Sequence, residues 1–438
     1  MSDAIDQGER PWRRAVAWLA FLGPFFFISY GFSNWIASRH VEVPAIVFGW
    51  EHAIPFWPWT IVPYWLIDLL YGLSLFVCAS RREVDTHAKR LLTAQLVAVF
   101  SFIAFPYRFT FDRPAVDGVF GFLFDVLLGF DRPFNQIPSL HIALAVILWA
   151  LYVNHVSRTG RVIVDAVFVL ICGSVLTTYQ HHFIDIPTGF ALGWLCVWLW
   201  PDENVSRPSF TWSRDRQRLR IAAYHLVGAM VAAALAKTLG GVGLWLLCPA
   251  LSLALVALCY AAIGAEGFQK RANGRLSLAA RWLFAPYLAG AWINSRWWTR
   301  IFPAPSPVAD NVWLGRTPTE RELASSPFAA VVDLTAELPV APAGRTLAVF
   351  PVLDLTTPSR ETLAAAASAI ERLRADGPVL VCCALGYSRS ACAVAAWLLA
   401  TGRAKTVDAA LQTIRAARAN VVLHDRHATA LRSLAVSQ

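Results

Sequence analysis

Charged side chains are scarce in this sequence, which excludes an ordinary soluble class for the chain as a whole. Of its 438 residues, 15% are charged and 57% are hydrophobic. Soluble domains average about 25% charged and about 45–50% apolar residues. Long apolar runs dominate up to about residue 265, and charged helix faces return from about residue 307. The sequence therefore predicts a polytopic α-helical membrane domain followed by an α/β domain.

The sequence also lacks a cysteine spacing typical of a disulfide framework or a zinc site. Five of its 8 cysteines lie in apolar runs, where they act as small buried hydrophobic residues: Cys78, Cys172, Cys196, Cys248 and Cys259. The others are Cys382, Cys383 and Cys392. We expect no metal and no other cofactor. The net charge of +9 comes from Arg and Lys beside the apolar runs, so we expect no nucleic-acid partner.

Eight apolar runs approach the roughly 20 residues needed to cross a bilayer. They lie at about 14–37, 59–80, 91–107, 139–157, 162–180, 183–201, 220–238 and 241–264. The N-terminus, with Arg10, Arg13 and Arg14, and the segments after each even-numbered run are rich in Arg and Lys. By the positive-inside rule, eight spans with both termini in the cytoplasm are predicted. The first run lacks the cleavage site of a signal peptide.

These patterns divide the chain into three parts. Residues 1–265 form the predicted membrane domain, and residues 307–438 the predicted cytoplasmic domain. Between them, the stretch from Arg271 to Trp298 mixes Arg with Leu, Trp and Tyr, as expected of a helix lying at a membrane interface. A Pro-rich segment at 303–307 completes a linker over residues 266–306.

The most specific motif is a cysteine followed, after five residues, by Arg and Ser: Cys383, Arg389 and Ser390. An apolar strand leads into the cysteine, Gly386 permits a tight turn, and an apolar helix begins at Arg389. Such a loop points backbone N–H groups and a helix N-terminus at one centre, where a phosphate binds. The same field favours a nucleophilic thiolate, and an Arg grips two phosphate oxygens at once.

A thiolate that attacks phosphorus needs a general acid to protonate the leaving oxygen. Asp354 lies upstream, on a loop after the predicted strand at about 347–352. Its bland interpretation is a helix or turn cap. The rival carboxylate, Asp333, lies inside an apolar strand from Ala329 to Leu334, which favours a structural role.

Residues 307–438 resemble the dual-specificity phosphatases of the protein tyrosine phosphatase superfamily. The resemblance rests on the cysteine motif, the acid loop and the segment Val312–Arg316. It implies Cys383 as nucleophile through a phosphocysteine intermediate, Arg389 as phosphate ligand, Asp354 as acid and then base, and Ser390 as a group assisting release of the thiolate. The chain departs from the family at Cys382, where a His is usual.

The substrate of this site is left open by the loop composition. Relatives that act on phosphoinositides usually carry Lys or Arg inside the loop. This loop has Ala384, Leu385, Tyr387 and Ser388. A phosphoprotein or a singly phosphorylated lipid is therefore favoured over a highly charged inositol phosphate.

Three polar clusters interrupt the apolar part: Arg108–Pro114, Pro138–His141 and Gln180–Asp185. All three fall on the outer face in the predicted topology. Polar groups are costly at such depths and usually have a function. An imidazole can attack phosphorus, a carboxylate can orient it, a second imidazole can protonate the leaving group, and guanidinium groups can neutralise charge.

Residues 90–200 resemble the type-2 phosphatidic acid phosphatase superfamily, in particular its sphingolipid phosphotransferase branch. The resemblance implies His181 as nucleophile, Asp185 as its orienting partner, and His141 as acid. It implies Arg113 as phosphate ligand, with Arg108 nearby. Two basic residues of the family pattern are replaced by Pro106 and Val175, and Arg132 is a candidate substitute. His182 is an alternative nucleophile, although only His181 has an Asp four residues later.

Two functional interpretations follow. In the first, the chain is a bifunctional membrane phosphatase, with a cytoplasmic cysteine site and an outward-facing histidine site that hydrolyses or transfers a lipid phosphate. In the second, the membrane domain binds lipid without catalysis and positions an active cytoplasmic phosphatase. In both interpretations, the expected partners of the protein are membrane lipids and the phosphoprotein or phospholipid substrate. The pairing of these domains suggests a bacterial inner membrane.

Overall fold

The computed structural model of this chain describes residues 11–435, so Arg10 lies outside the described residues. The chain divides into two compact units between Asp202 and Glu203. The sequence placed the domain boundary at residue 265 instead. The last two long apolar helices therefore group with the C-terminal part, and the functional assignment of residues 1–265 stays a prediction.

The first unit consists of helices joined by short loops. They are α1 (Trp12–Ala37), α2 (Ile61–Val77), α3 (Arg81–Ala104), α4 (Gly118–Leu128), α5 (Leu140–Tyr152), α6 (Arg158–Thr177) and α7 (Asp185–Leu199). The six apolar runs predicted before residue 202 each contain a helix, whereas α4 was not predicted. The unit's apolar core joins α2, α4, α5 and α6.

Helices α5 and α7 pack closely because glycines line their contact. A Cβ atom added at Gly189 would lie 2.4 Å from the carbonyl oxygen of Ser139, and one at Gly193 would lie 2.6 Å from the Cβ of Val146. These glycines are four residues apart and share one face of α7. Small residues in this spacing let helices approach where lipid provides no hydrophobic driving force.

The second unit begins with an apolar helical hairpin. Helix α8 (Arg216–Leu239) turns at Gly240, which has φ of 58°, into a 3₁₀ turn and α9 (Leu247–Leu258). A π-helical turn, Cys259–Ile263, ends the second arm. Helices α10 (Leu278–Leu283) and α11 (Ala285–Trp298) follow. The single interfacial helix predicted over Arg271–Trp298 is therefore wrong in detail, because the helix breaks at Phe284 and restarts with a Pro in its first turn.

Within residues 11–435, five helical segments are long and apolar enough to cross a membrane: Trp12–Ala37, Pro58–Val77, Arg158–Thr177, Arg216–Leu239 and Gly241–Ile263. Helices α5 and α7 are shorter, with 13 and 15 residues. Helix α3 begins with a charged turn that contains Arg81, Arg82 and Glu83. The structure thus shows a helical N-terminal region with five membrane-length helices, and eight spans stay a prediction.

The C-terminal part of the second unit is an α/β domain around a five-stranded sheet of order β1-β2-β5-β3-β4. The strands are β1 (Ser306–Ala309), β2 (Val312–Arg316), β3 (Ala330–Thr335), β4 (Thr346–Val352) and β5 (Val379–Cys383). Only the β1–β2 pair is antiparallel. The helices are α12 (Glu320–Ala324), α13 (Arg360–Leu373), α14 (Arg389–Ala400), α15 (Val407–Ala417) and α16 (Asp425–Ala435).

The predicted strands at 329–334, at 347–352 and before Cys383 are present as β3, β4 and β5, and the segment Val312–Arg316 forms β2. Helix α14 packs in the core against α13, and its segment from Ala391 to Leu398 is buried throughout. Because β5 is the central strand, its carboxyl end and the start of α14 lie at the middle of one sheet edge. In open α/β sheets this edge is the usual place for a ligand.

Candidate active sites

The predicted phosphate-binding loop joins the central strand to a buried helix. Cys383 is the last residue of β5, and Arg389 is the first residue of α14. In the described part of the chain, the backbone N–H groups of residues 384–388 donate to no protein acceptor. Together with the positive end of α14, these donors can hold a phosphate group beside the Cys383 sulfur.

Gly386 is required by the shape of this loop. Its φ is +73°, and an added Cβ atom would lie 2.4 Å from the carbonyl carbon of Gly315. Any side chain would therefore strain the backbone and collide with β2. The loop is thus held against the neighbouring strand by backbone contact, as the turn predicted at Gly386 needs.

Cys383 and Ser390 are in direct contact. The Ser390 hydroxyl donates a hydrogen bond of 3.1 Å to the Cys383 Sγ, and both side chains are buried. A hydroxyl donor stabilises a thiolate more than a thiol, because the acceptor is then charged. The role predicted for Ser390 in releasing the thiolate would use this contact and stays a prediction.

Arg389 is fixed by a buried network. Its guanidinium donates to both carboxylate oxygens of Glu337, at 2.9 and 2.7 Å, and to the Val352 carbonyl at 2.7 Å. A fourth bond of 2.8 Å reaches Asp354 Oδ1. Although burial acts in the opposite direction, the two carboxylates raise the pKa of Arg389 well above its usual value. The guanidinium therefore stays charged and aligned beside the loop.

Asp354, the predicted general acid, is bonded to the arginine that begins α14. It follows β4, bonds to Arg389, and has a side chain 32% exposed. Burial raises the pKa of Asp354, and the nearby Glu337 acts in the same direction, while Arg389 opposes them. A raised pKa keeps more of this carboxyl protonated, which is the form that can protonate a leaving oxygen.

Asp333, the rival carboxylate, has a structural environment. It is fully buried, forms an ion pair with Lys270, and accepts bonds of 2.8 and 2.7 Å from the Thr335 N–H and hydroxyl. Lys270 also donates to the carbonyls of Thr335 and Leu338, at 2.9 and 2.6 Å. These contacts hold Asp333 inside a buried network and support the structural role predicted for it.

Cys382 does not compete with Cys383 as a nucleophile. It is fully buried, and burial together with the nearby Asp333 raises the pKa of its thiol well above the usual value. A thiol in such a site stays protonated and inert. The replacement of the usual His by Cys382 therefore adds no second reactive sulfur.

In the first unit, the structure brings the predicted His181, Asp185 and His141 together. His181 Nδ1 lies 3.0 Å from Asp185 Oδ2, and its Nε2 lies 3.5 Å from the Ser139 hydroxyl. His141 and His181 line one cavity of about 50 Å³, shared with Asp131 and other residues of the unit. Within the described residues, His141 Nε2 is buried and has no hydrogen-bond partner. The close α5–α7 contact makes this meeting possible.

His182, the alternative nucleophile, has a different neighbourhood. Its Nδ1 lies 3.0 Å from Glu51 Oε2, and its Nε2 accepts from the Thr110 N–H at 3.2 Å. Glu51 also accepts a hydrogen bond of 2.9 Å from the Phe183 N–H. Both ring nitrogens are thus engaged, and His182 does not line the cavity, so the geometry favours His181.

The predicted phosphate-binding arginines do not reach this cavity in the described structure. The Arg113 guanidinium donates to the carbonyls of Thr178 and Tyr179, at 3.1 and 3.2 Å, and lies 4.7 Å from the centre of the Phe124 ring. Arg108 and Arg132 are exposed, and neither lines the cavity. Arg113 instead holds the segment before His181, and its role as a phosphate ligand stays a prediction.

Comparison with known proteins identifies the C-terminal region. Residues 312–435 match the profile of the family "Dual specificity phosphatase, catalytic domain". This region is a dual-specificity phosphatase domain. The chain is therefore a phosphoester hydrolase of the protein tyrosine/dual-specificity type. The resemblance stated for residues 90–200 stays a prediction.

Three solved structures illustrate what the phosphatase domain is similar to. Tk-PTP in its active form is 30% identical, with 31% of this chain and 99% of that chain covered and a TM-score of 0.29. Human DUSP28 is 25% identical, with coverage of 30% and 96% and a TM-score of 0.28. PTPMT1 is 19% identical, with coverage of 31% and 95% and a TM-score of 0.28. No curated protein matches the chain.

Two further residues bond to Arg389 and Asp354, and the sequence did not reveal them. Glu337 binds Arg389, and Tyr260 donates a 2.9 Å bond to the Asp354 carbonyl. An acidic residue two positions after the end of the buried strand β3 was a weak signal for Glu337. No local signal marked Tyr260, because it lies 94 positions from Asp354 and inside an apolar run.

Proposed function

We propose that this chain is a membrane-anchored phosphomonoesterase whose chemistry takes place at Cys383. The observation that carries the proposal is the row of amides at residues 384–388, which have no acceptor among the described residues and lie in the loop between Cys383 and the fixed guanidinium of Arg389. This set of donors fits the three outer oxygens of a phosphoryl group in the transition state.

The reaction takes two steps. The Cys383 thiolate attacks phosphorus, the bond between phosphorus and the ester oxygen breaks, and Asp354 gives that oxygen a proton. Water then attacks the phosphocysteine, Asp354 takes a proton from the water, and inorganic phosphate leaves. Ser390, bonded to Cys383 Sγ, stabilises the thiolate that is released.

Purified full-length protein in detergent tests this proposal with a pair of adjacent cysteines. Cys383→Ser is expected to lower hydrolysis of para-nitrophenyl phosphate by at least about 1,000-fold, as removal of a nucleophile does. Cys382→Ala keeps the activity within about threefold, because its thiol is protonated and outside the loop. Equal loss in both variants, at unchanged thermal stability, would refute the assignment of Cys383.

We place the phosphatase domain in the cytoplasm and both chain ends on the same side. The support is the alternation of basic and less basic loops along the eight predicted apolar runs, because an even number of crossings returns the chain to the side on which it began. Trypsin distinguishes the two faces at the segment with Arg403 and Lys405. Cleavage is expected in inside-out vesicles and protection in intact spheroplasts; the reverse pattern would overturn the orientation.

A second candidate activity is phosphoryl transfer at His181. The pairing of His181 with Asp185, and the cavity shared with His141, favour it over a purely anchoring membrane domain. His181 would attack the phosphorus of a lipid phosphate through Nε2, Asp185 would hold the ring, and His141 would protonate the leaving oxygen. Water or an acceptor alcohol would then take the phosphoryl group from His181.

The Cys383→Ser protein isolates this second activity. Release of phosphate from lipid, or its transfer to an alcohol, is expected to persist in Cys383→Ser and to disappear in Cys383→Ser/His181→Ala. Absence of any lipid turnover in Cys383→Ser would favour the anchor, in which the first unit binds lipid and positions the phosphatase domain.

A further inference from the structure

The acid loop of the phosphatase domain, the segment after β4 that carries Asp354, is hydrogen-bonded to the apolar hairpin α8–α9. The bonds are at the base of the hairpin, where α8 begins and the second arm ends. Tyr260, in the π-helical turn that ends the second arm, donates a 2.9 Å bond to the Asp354 carbonyl. Gln217, in the first turn of α8, donates to the Leu355 carbonyl. The two arms also contact each other at this end, where Arg218 donates a hydrogen bond of 3.1 Å to the Tyr260 carbonyl. Both ends of the hairpin therefore meet the general acid.

The phosphate-binding loop is likewise hydrogen-bonded to α11. The Ser295 hydroxyl donates to the Ala384 carbonyl, and the Tyr387 hydroxyl donates 3.3 Å to the Trp298 carbonyl. Arg296 donates 3.0 Å to the Thr317 carbonyl. The acid loop is thus bonded to the base of the hairpin, and the phosphate-binding loop is bonded to α11, which follows the hairpin in the chain.

Exposed apolar side chains belong to, or neighbour in sequence, the residues that make these contacts. Leu355, beside the general acid, is 61% exposed, and its φ of 56° is unusual for a residue that is not glycine. We call the following exposed residues the apolar rim: Leu355, Trp297, Trp298, Ile301 and Phe302. Strain and exposure together at an apolar residue next to a catalytic group indicate a functional contact.

The hairpin gives the apolar rim a defined depth. Its arms have 24 and 23 residues, so each spans roughly 35 Å at 1.5 Å per residue, enough to cross the hydrocarbon core of a bilayer. Along α8, Tyr224, Met230 and Leu239 are exposed, as lipid-facing residues are. Arg296 and Arg300 lie against Trp rings at 5.6 and 4.2 Å, a pairing that suits the headgroup level.

Resting on the Cys383 activity proposed above, we infer that its substrate is a singly phosphorylated lipid in the same bilayer as the hairpin. The base of the hairpin puts the loop at the level of the lipid headgroups, and the apolar rim contacts the acyl chains just below the phosphate. The loop residues Ala384, Leu385, Tyr387 and Ser388 offer no cationic side chain for further phosphates. One phosphomonoester on a diacyl or similar lipid fits both features.

Three substrates with one phosphomonoester each test the inference in full-length protein. They are phosphatidic acid in detergent mixed micelles, sn-glycerol 3-phosphate as its matched soluble headgroup, and a phosphotyrosyl peptide. The rate that counts is the difference between wild type and Cys383→Ser, which removes any contribution of His181. The Cys383-dependent kcat/KM is expected to be at least about 100-fold higher for the micellar lipid than for glycerol 3-phosphate or the peptide. The rate on the lipid is expected to fall as the lipid is diluted in the micelle surface.

Two substitutions at the apolar rim sharpen the test. Ile301→Ser removes an exposed apolar side chain that lies outside the acid loop and the phosphate-binding loop. Trp298→Ala removes an exposed ring and leaves the backbone carbonyl that accepts from Tyr387. Each is expected to raise KM for micellar lipid by about tenfold, the worth of one apolar side chain, with little change on para-nitrophenyl phosphate. The matched control is Trp35→Ala, which removes an exposed Trp on the opposite membrane face in the predicted topology. It should change neither the KM for micellar lipid nor the activity on para-nitrophenyl phosphate.

The outcomes separate this inference from the proposed function. A higher Cys383-dependent kcat/KM on the peptide or on glycerol 3-phosphate than on the lipid would overturn the lipid substrate and leave the phosphatase in place. Loss of activity on para-nitrophenyl phosphate in Ile301→Ser, equal to the loss on lipid, would also overturn it. Absence of Cys383-dependent hydrolysis on every substrate would instead refute the proposed function.

Discussion

The two candidate sites hold their nucleophiles by different means. Cys383 lies at the end of a central strand, and its loop is held by backbone contact with β2 and by a serine hydroxyl. His181 lies between helices, and its position depends on the approach of α5 to α7 through Gly189 and Gly193. The first site gathers donors for an anion, whereas Asp131 lines the second and no Arg does in the described residues. The comparison indicates that the cysteine site is organised for catalysis by its own sheet, and that the histidine site depends on helix packing.

Removal of the general acid is expected to have the largest effect at the cysteine site. Asp354→Asn should lower kcat on para-nitrophenyl phosphate by about 10²–10⁴-fold, the usual worth of a positioned proton donor. Steady-state kinetics at constant thermal stability measures it. Asp333→Asn is the contrast: it leaves Lys270 without its carboxylate partner, so it should lower stability first. A larger kcat loss in Asp333→Asn than in Asp354→Asn would reverse the two assignments.

Glu337→Gln tests how firmly the sheet holds Arg389. Loss of one partner of a buried ion pair costs about 3–5 kcal/mol, so we expect a lower melting temperature of the phosphatase domain. Although burial opposes it, Arg389 lowers the pKa of Glu337, so its stabilisation is present above the ordinary pKa of a glutamate and is lost as pH falls through the lowered value. Calorimetry at neutral and acidic pH measures both effects. A variant as stable as wild type would show that Glu337 is dispensable.

A substitution in the first unit tests whether the two sites are independent. Gly189→Leu places a side chain where a Cβ atom already lies 2.4 Å from the Ser139 carbonyl oxygen. Overpacking of this kind costs about 1–3 kcal/mol and should separate α5 from α7. We expect loss of lipid turnover in the Cys383→Ser background, with the Cys383 activity of the single variant kept within about twofold. Equal loss of both activities would contradict independent sites.

The pH dependence of the cysteine site gives the smallest effect. Because burial raises the pKa of Asp354, its acid form persists to a higher pH than in an exposed aspartate. The rate limited by leaving-group protonation should fall about tenfold per pH unit above that pKa. Asp354→Asn should remove this dependence, which a pH profile with a poor leaving group measures. An unchanged profile in the variant would exclude Asp354 as the acid.

The sequence predicted most of what is encoded locally. The strand, loop and helix around Cys383 follow from consecutive residues, and the His-x3-Asp spacing predicts the contact of His181 with Asp185. Local rules failed where distant segments meet. Glu337 on Arg389 and Tyr260 on Asp354 join residues 52 and 94 positions apart. Arg113 was predicted as a phosphate ligand from its motif. Its guanidinium instead donates to backbone carbonyls, a contact that depends on the folded loop and not on the local sequence.

Lys270 also bears on how the phosphatase domain can be separated from the rest of the chain. Its ammonium group is buried against Asp333, inside the sheet that ends at Cys383. A soluble fragment that starts at residue 307 would leave this carboxylate without a counter-ion and the carbonyls of Thr335 and Leu338 without their donor. A fragment that starts before Lys270 keeps all three interactions, so the catalytic half should be cut from the chain upstream of the linker rather than after it.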